Sequence, residues 1–347
     1  MSKLDTEQVG RVEEGHGAAP LVEDHGWRME DPRGPLGITG RLRGKHVLSD
    51  ADLSPQTIAE LLQTAERLKG QRARREPHTY LAGRTLGLVF QHPSTRTRTA
   101  FQVGMEQLGG QGIFLGVNDM QLKRGETIGD TAQILSRMVD AIAMRIASHD
   151  ELVEFAEHAT VPVFNALTSK CHPIEPLGDL LTLQERFGHL DGLKFAYLGD
   201  GNNVCHSLLM SCAATGVSIS VGSPPAYQPD ADVVAQARRV AATTGATITI
   251  TDDAMAASTD ADAVYTDVHQ SMGEADDSLK ATQLAPYRVT KEVMGQAKPT
   301  AVFMHCLPMR RGEEVDAEVA DGPQSIVFDQ AENRLHIHKA LLLQTLW

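Results

Sequence analysis

The chain has 347 residues, of which 41% are hydrophobic and 22% are charged, and its formal net charge is −13. At about 100–200 residues per domain this length predicts two domains. The acidic balance disfavours a nucleic-acid-binding protein, which usually carries a basic face, but a local arginine cluster can still bind a small anion. No apolar run approaches the roughly 18 residues of a membrane-spanning helix, so no membrane association is predicted.

Residues 1–44 are rich in Gly, Pro and acidic residues and show no periodicity, which predicts an extension that is poorly ordered or laid on a surface. Their acidic content and the lack of an apolar core segment disfavour a signal or transit peptide. The four cysteines, at 171, 205, 212 and 306, form no C-x-x-C pair. Reduced thiols in a cytoplasmic protein are therefore expected.

The first regular element is a predicted helix over 54–70, in which Ser54 is the N-cap and Pro55 the first helical residue. A first series of alternating elements follows this helix. It comprises predicted strands over 84–90, 111–116, 139–145 and 161–167 and predicted helices over 97–110, 125–138, 149–159 and 172–188.

A second series begins after the helix 172–188. It comprises predicted strands over 193–199, 217–222, 246–252, 261–267 and 300–307 and predicted helices over 202–216, 231–245 and 330–346. Strict alternation predicts parallel sheets built from βαβ units. The predicted fold is α/β with two domains, each a parallel sheet flanked by helices, over 45–185 and 186–329, and the C-terminal helix 330–347 joins the first.

Ligands of such sheets bind at the carboxyl ends of the strands, and the segment 94–98 follows the first strand. A helix start offers free N–H groups to an anion, Ser94, Thr95 and Thr97 add hydroxyls, and Arg96 adds a planar fork. Arg145 ends another strand and could complete the site. These residues predict a phosphate site, and the alternative is a capped helix with surface arginines.

Two other strand ends carry reactive residue types. His172 opens a helix and either donates to a polarised carbonyl oxygen or belongs to a satisfied helix start. Cys306 is either a reactive thiol or a buried one, and His305 on the same strand is expected to point away from it. The glycines of 199–201 lack the dinucleotide-loop spacing, and no histidine or cysteine spacing predicts a metal site.

Taken together, these motifs resemble the aspartate/ornithine carbamoyltransferase family from about Leu42 to the C-terminus. The resemblance is carried by STRTR (94–98), RGETIGDTAQILSRMVDAI (124–142), HP (172–173), LGDLLTLQE (177–185), GDGNNVCHSLLMS (199–211), YTDV (265–268), SMG (271–273), HCLP (305–308), RGEEV (311–315) and AENRLH (331–336). It implies transfer of a carbamoyl group from carbamoyl phosphate to an amine, without a cofactor or metal. The SMG motif points to ornithine rather than aspartate or putrescine.

The resemblance also implies which residues form the site. Carbamoyl phosphate is expected to contact Ser94, Thr95, Arg96, Thr97, Gln121, Arg145, His172, Glu175, Cys306, Leu307 and Arg334. Gln121 matches a residue that reaches a neighbouring subunit, which implies a trimer or a multiple of trimers. The amino acid is expected to contact Leu167, Asn203, Asp267, Ser271 and Met272. Arg96, Arg145, His172 and Cys306 are the expected catalytic residues, with Cys306 as an orienting group.

The chain departs from the family pattern at several positions. Glu175 stands where the family usually has Gln, and its carboxylate is expected to repel the bound phosphate. His269 replaces a usual Trp, His92 a common Lys, and Met309–Arg310 a small residue followed by His. We therefore hypothesise that the phosphate half of the site is competent and that the acceptor half or the carbamoyl contact is altered.

Three other functions were weighed against ornithine carbamoylation. A sister carbamoyltransferase would act on lysine, an acylated ornithine or putrescine, since kinship in fold does not specify the acceptor. A non-catalytic assembly subunit is disfavoured by the intact arginine site. A nicotinamide-dependent oxidoreductase is disfavoured by the missing glycine fingerprint.

Overall fold

Two parallel β-sheets organise the chain in a computed structural model that describes residues 35–270 and 277–347. The first sheet has the strand order β2-β1-β3-β4, and the second has the order β7-β6-β5-β8-β9. The strands are β1 (Thr85–Phe90), β2 (Gln111–Gly116), β3 (Ala141–Arg145), β4 (Val163–Asn165), β5 (Lys194–Leu198), β6 (Ser218–Gly222), β7 (Ile248–Thr251), β8 (Ala263–Thr266) and β9 (Val302–His305).

Helices connect and flank these strands in the described part of the chain. They are α1 (Pro55–Ala73), α2 (Thr95–Gln107), α3 (Ile128–Ser136), α4 (His149–His158), α5 (Glu175–Phe187), α6 (Asn203–Thr215), α7 (Ala231–Thr244), α8 (Ala254–Ser258), α9 (Ser278–Leu284), α10 (Lys291–Met294), α11 (Ala317–Ala320) and α12 (Val327–Leu346). The predicted fold class, two parallel sheets flanked by helices, is confirmed.

The central strands are apolar on both faces because helices cover both sides of each sheet. In β1 every residue after Thr85 is buried, and Leu88 lies between Phe114 of β2 and Ala143 of β3 in register. This register brings the carboxyl ends of β1 and β3 to the same edge, where Phe90 pairs with Arg145. Residues that follow these two strands therefore meet at one place.

The last helix returns to the first half of the chain. Helix α12 packs against α1, α2 and α5, and it also contacts β9 of the second sheet. Its side chains from Ile337 to Leu343 are fully buried. Because α12 crosses from the end of β9 to α2, its residue Arg334 reaches the carboxyl edge of the first sheet.

Several boundaries differ from the sequence-based expectation. Helix α5 begins at Glu175 and not at His172, because Pro173 and the turn around it precede the regular helix. The short helices α8 to α11 were not predicted, since four to seven residues show too little periodicity. Ile38 and Leu42, inside the predicted extension, are buried in the core. Residues 1–34 lie outside the described residues, and the domain bounds stay a prediction.

Candidate active site

Three arginines from three different elements converge at the carboxyl edge of the first sheet. Arg96 lies in the first turn of α2, Arg145 ends β3, and Arg334 lies on α12. The Nε atom of each is buried and has no hydrogen-bond partner in the described part of the chain. Buried polar groups normally have partners. Three unused donors at one place therefore indicate a site for an anion.

Electrostatics support the same interpretation. The pKa of Arg145 is lowered to about 10, mainly by burial and also by the positive charges of Arg334 and Arg96, while Glu175 opposes the shift. The pKa of Arg96 is also lowered, first by burial and then by Arg334. Guanidinium groups stay charged at neutral pH even so. Mutual repulsion between these groups would be relieved by a bound dianion.

The start of α2 adds further donors beside the arginines. Ser94 is the N-cap in an extended conformation, and its hydroxyl makes no capping hydrogen bond. The free N–H groups of the first turn and this hydroxyl are available to an anion. Thr97 differs, because it is 1% exposed and its Oγ1 accepts a 2.6 Å hydrogen bond from Arg334 Nη2. Thr97 therefore orients Arg334, while Ser94 and Thr95 line the helix start.

His172 and Glu175 form a buried pair next to Arg334. His172 Nε2 lies 2.9 Å from Glu175 Oε2, and Arg334 Nη2 lies 3.0 Å from the same oxygen. Burial alone would raise the pKa of Glu175, but the charge of Arg334 and the contact with His172 outweigh it and hold that pKa at about 2. Burial lowers the pKa of His172 despite the opposing effect of Glu175. The expected repulsion by Glu175 is thus offset within the protein by an ion pair with Arg334.

Cys306 directly follows β9 and Asp267 directly follows β8, and both lie near Arg96. The Cys306 Sγ donates to Asp267 Oδ1 at 2.9 Å, and Asn202 Nδ2 donates to Asp267 Oδ2 at 2.8 Å. Burial raises the pKa of the Cys306 thiol well above its usual value, and the nearby carboxylate of Asp267 raises it further. A protonated thiol is a poor nucleophile, so this geometry favours an orienting role for Cys306.

The Leu307 backbone links the two halves of the site. Leu307 has a positive φ of 61°, an uncommon conformation for a leucine, and its carbonyl oxygen accepts from Arg96 Nη2. Its N–H donates to His305 Nδ1 at 2.8 Å. Strained backbone that the surroundings hold in place is common at functional sites. The Leu307 carbonyl therefore fixes the position of Arg96.

A buried network behind this loop was missed by sequence reasoning. His305 Nε2 lies 3.2 Å from Glu314 Oε1, and the same oxygen accepts from the N–H of Arg310. Both His305 and Glu314 are 1% exposed or less. Glu314 is the second glutamate of the RGEEV motif, to which the resemblance gives no role. Glu314 holds His305, and His305 in turn holds the Leu307 backbone.

The fold also brings three potential metal-ligand atoms together. One ligand atom each from Asp267, His305 and Cys306 lies within 4.8 Å of the others. Sequence spacing did not reveal this set, because His305 and Cys306 are neighbours and Asp267 is distant in sequence. The thiol donates to Asp267 and the imidazole contacts Glu314, so both groups already have partners within the protein.

The predicted acceptor residues are only partly placed. Leu167 has a positive φ of 140°, and its N–H donates to Asn165 Oδ1. Asn203 Nδ2 donates to the Thr168 carbonyl at 2.6 Å, so its amide binds the protein and not an open space. Ser271 and Met272 lie outside the described residues. His269 is 7% exposed, and its Nε2 has no partner among the described residues.

Gln121 is separated from the other predicted ligands. It begins a short 3-10 helix (Gln121–Arg124), its side chain is exposed, and no described contact joins it to the three arginines. The structure therefore brings Ser94, Thr95, Arg96, Thr97, Arg145, His172, Glu175, Cys306, Leu307 and Arg334 together, but not Gln121.

Comparison with known proteins agrees with this arrangement. Residues 45–185 match the carbamoyl-P binding domain of aspartate/ornithine carbamoyltransferase, and residues 191–345 match its Asp/Orn binding domain. The chain belongs to this family. Ornithine carbamoyltransferase of Symbiobacterium thermophilum is 51% identical over 306 residues, which cover 87% of this chain and 97% of that protein. The enzyme of the same name from Halalkalibacterium halodurans is 48% identical and covers 87% and 95%.

Solved structures of the family have the same fold. The ornithine carbamoyltransferase from Pyrococcus furiosus superposes with a TM-score of 0.86 at 44% identity, covering 88% of this chain and 98% of that one. The enzyme from Gloeobacter violaceus gives a TM-score of 0.79 at 42% identity, covering 88% and 100%. Within the described residues, no helix is long and apolar enough to cross a membrane.

Proposed function

We propose that this protein transfers the carbamoyl group of carbamoyl phosphate to the δ-amine of L-ornithine and forms citrulline and phosphate. The observation that carries the proposal is the convergence of three buried guanidinium groups, each with an unpartnered Nε, beside the Cys306–Asp267 pair. The close relatives named above are ornithine carbamoyltransferases, and nothing in the described residues favours another acceptor.

The phosphate group lies, in this proposal, among Arg96, Arg145 and the start of α2. Planar guanidinium forks donate two parallel hydrogen bonds to phosphate oxygens, and the N–H groups of a helix start donate more. Ser94 and Thr95 contribute hydroxyls, and Thr97 holds Arg334. These contacts become stronger as charge moves onto the leaving phosphate, which is what accelerates the reaction.

The carbamoyl carbon lies between this anion site and the acceptor side. The neutral δ-amine attacks the carbon, a C–N bond forms, and the C–O bond breaks as phosphate leaves with the bonding electron pair. The departing phosphate takes the proton that the new ammonium loses. His172 and Arg96 face the oxygen that gains charge, the Leu307 carbonyl holds Arg96 in position, and Cys306 with Asp267 orients the amine. We assign the amino-acid end of ornithine to Leu167, Asn203, Asp267, Ser271 and Met272, for which the Asn203 amide must leave the Thr168 carbonyl.

An assay with a panel of amines tests this function. Carbamoyl phosphate is incubated with ornithine, lysine, N-acetylornithine, putrescine and aspartate, and the ureido product and phosphate are both measured. We expect ornithine to exceed putrescine and N-acetylornithine in kcat/KM by at least about 100-fold, because a site built for a polar group rejects analogues that lack it. Lysine differs by one methylene and is expected to be at least about tenfold worse than ornithine. Turnover only with another amine, or with none, would refute the proposal.

We also propose that the protein is a cytoplasmic homotrimer or a multiple of trimers. The exposed position of Gln121, away from the three arginines, fits a side chain that completes a neighbour's site. The four cysteines are free thiols, which fits a reducing compartment.

Mixed oligomers test whether Gln121 acts across a subunit interface. Gln121→Ala and Arg96→Ala are each expected to be nearly inactive alone. After co-refolding, about one quarter of the sites would combine a wild-type Arg96 with a wild-type Gln121 of the neighbour, as random assortment in a closed ring gives. Recovery of about a quarter of wild-type activity is expected. Mixtures that stay inactive would place Gln121 in its own subunit's site, and an active Gln121→Ala protein would place it outside any site.

A further inference from the structure

The His172–Glu175 pair lies beside Arg334 and has buried atoms without hydrogen-bond partners. Both side chains are 2–3% exposed. Glu175 Oε2 contacts His172 Nε2 and Arg334 Nη2, but among the described residues neither ring nitrogen of His172 nor Glu175 Oε1 has a hydrogen-bond partner. Buried polar atoms without partners are uncommon, so the pair is arranged for a ligand or a proton.

The position of the proton in this pair follows from the geometry. Glu175 is ionised because Arg334 lies 3.0 Å from its carboxylate. At 2.9 Å, a bare nitrogen lone pair facing this oxygen would be repelled, so His172 Nε2 carries the proton although its N–H is not aimed straight at Oε2. A neutral His172 then has a bare Nδ1, which can accept but not donate a hydrogen bond.

The charge balance of the site changes when substrate binds. Three arginines and the carboxylates of Glu175 and Asp267 give a net charge of +1 before binding, and dianionic carbamoyl phosphate brings −2. His172 then no longer faces an excess of positive charge. If residue 175 were a glutamine, the substrate-bound site would be more positive by one charge than it is with Glu175. That extra positive charge would disfavour protonation of His172.

We propose that His172 takes up a proton at Nδ1 when carbamoyl phosphate binds, with Glu175 as the counter-ion of the imidazolium. The new Nδ1–H group then donates a hydrogen bond to the carbamoyl oxygen. The inference deepens the proposed function and rests on it for the identity of the ligand. The proton comes from solvent on binding and returns to it on release, so no other bond changes. His172 is then the catalytic residue, and Glu175 is a positioning residue that acts through it.

Other ionisable groups near the pair bear on its pH dependence. They are Arg96 on α2, Arg145 on β3, Arg334 and His338 on α12, Asp179 on α5, and Asp50, which reaches His172 through Ser207. Burial raises the pKa of Asp50 to about 7. Asp50 is therefore the competing source of proton uptake and needs its own variant.

Calorimetric titration with carbamoyl phosphate alone measures the proton uptake. The full-length protein is titrated at pH 8 in three buffers with different enthalpies of ionisation, and the slope of heat against ionisation enthalpy gives the number of protons. We expect about one proton per site for the wild type and less than about a third for Glu175→Gln. Glu175→Asp is expected to restore most of the uptake, and Asp50→Asn to leave it unchanged.

A matched control lies on the same helix. Glu185→Gln removes a half-exposed carboxylate at the other end of α5, paired with Lys69, and is expected to leave the uptake unchanged. Glu175→Gln should also bind carbamoyl phosphate at least as tightly as the wild type, because it removes a negative charge, while its kcat falls at least about tenfold.

Several outcomes would overturn the inference. They are no uptake in the wild type, equal uptake in Glu175→Gln, or loss of carbamoyl phosphate binding in a Glu175→Gln protein that still melts cooperatively. If Glu175→Gln does not fold, the wild-type and Glu175→Asp measurements decide alone. The proposed function has a different test from the proton uptake. It would be refuted if the wild type bound carbamoyl phosphate but did not carbamoylate ornithine.

Discussion

Replacing Arg96 with lysine is expected to lower kcat/KM for carbamoyl phosphate about 100- to 1000-fold without unfolding the protein. The guanidinium of Arg96 donates to the Leu307 carbonyl through Nη2 and keeps its Nε for a ligand. A lysine ammonium has no planar fork and cannot hold both contacts in one geometry. Steady-state kinetics with varied carbamoyl phosphate, together with a thermal melt, measures the effect.

Arg98→Lys is the matched control for this prediction. Arg98 lies two residues further along α2, its guanidinium stacks on the Phe114 ring at 3.6 Å, and its Nε donates to Gln102. It does not contact the three arginines of the site, so kcat/KM should stay within about twofold of the wild type. An Arg96→Lys variant that retains more than a tenth of the activity would contradict the anion site described here.

Acid is expected to destabilise the protein strongly through two buried histidines of α12. Burial lowers the pKa values of His336 and His338 to about 3 each. A histidine whose folded pKa lies below the unfolded value of 6.5 stabilises the fold fully above pH 6.5, and that contribution is lost as the pH falls toward 3. Between pH 6.5 and 4.5 each should cost roughly 2 to 3 kcal/mol of unfolding free energy. Urea unfolding at several pH values measures this loss.

His338→Asn isolates one of these two contributions. The asparagine amide can still donate to the Arg334 carbonyl, which His338 Nδ1 contacts at 2.5 Å, but it does not titrate. The variant loses the edge-on packing against Phe101 and should be less stable at pH 7. Its further loss between pH 6.5 and 4.5 should be roughly 2 to 3 kcal/mol smaller than that of the wild type. His189→Asn, at an exposed position, should lose as much unfolding free energy between pH 6.5 and 4.5 as the wild type. An equal loss in all three proteins would refute the prediction.

The long elements of the fold could be predicted from sequence because each has a strong local pattern. Strand β2 was predicted to the residue, and α7 within one residue, since glycines mark their ends. Helix α9 (Ser278–Leu284) was missed, because about two turns have too few apolar residues to show a period. The start of α12 at Val327 was placed three residues late, because the apolar residues before Gln330 lack a capping signal.

The site could be predicted only at the level of which residues meet. Strand ends carried Arg145, Asp267 and Cys306. The parallel pairing of β8 and β9 brings Asp267 and Cys306 together, whereas Arg145 ends a strand of the other sheet. The partner of each side chain could not be read from the sequence. Thr97 binds Arg334, Asn203 binds the Thr168 carbonyl, and Glu175 is paired with a cation; each depends on rotamers fixed by packing between distant segments.

Helix α12 has a consequence for biosynthesis. Arg334 enters a site whose other arginines are made much earlier, at positions 96 and 145, and the whole second sheet is translated in between. The surface of α1, α2 and α5 that α12 covers therefore stays exposed to solvent on the ribosome until α12 has emerged. A nascent chain can complete its second sheet before α12 is synthesised, but its anion site then lacks the third arginine. A premature stop anywhere before Val327 should leave a partly folded chain with an apolar surface, which is a substrate for chaperones and proteases.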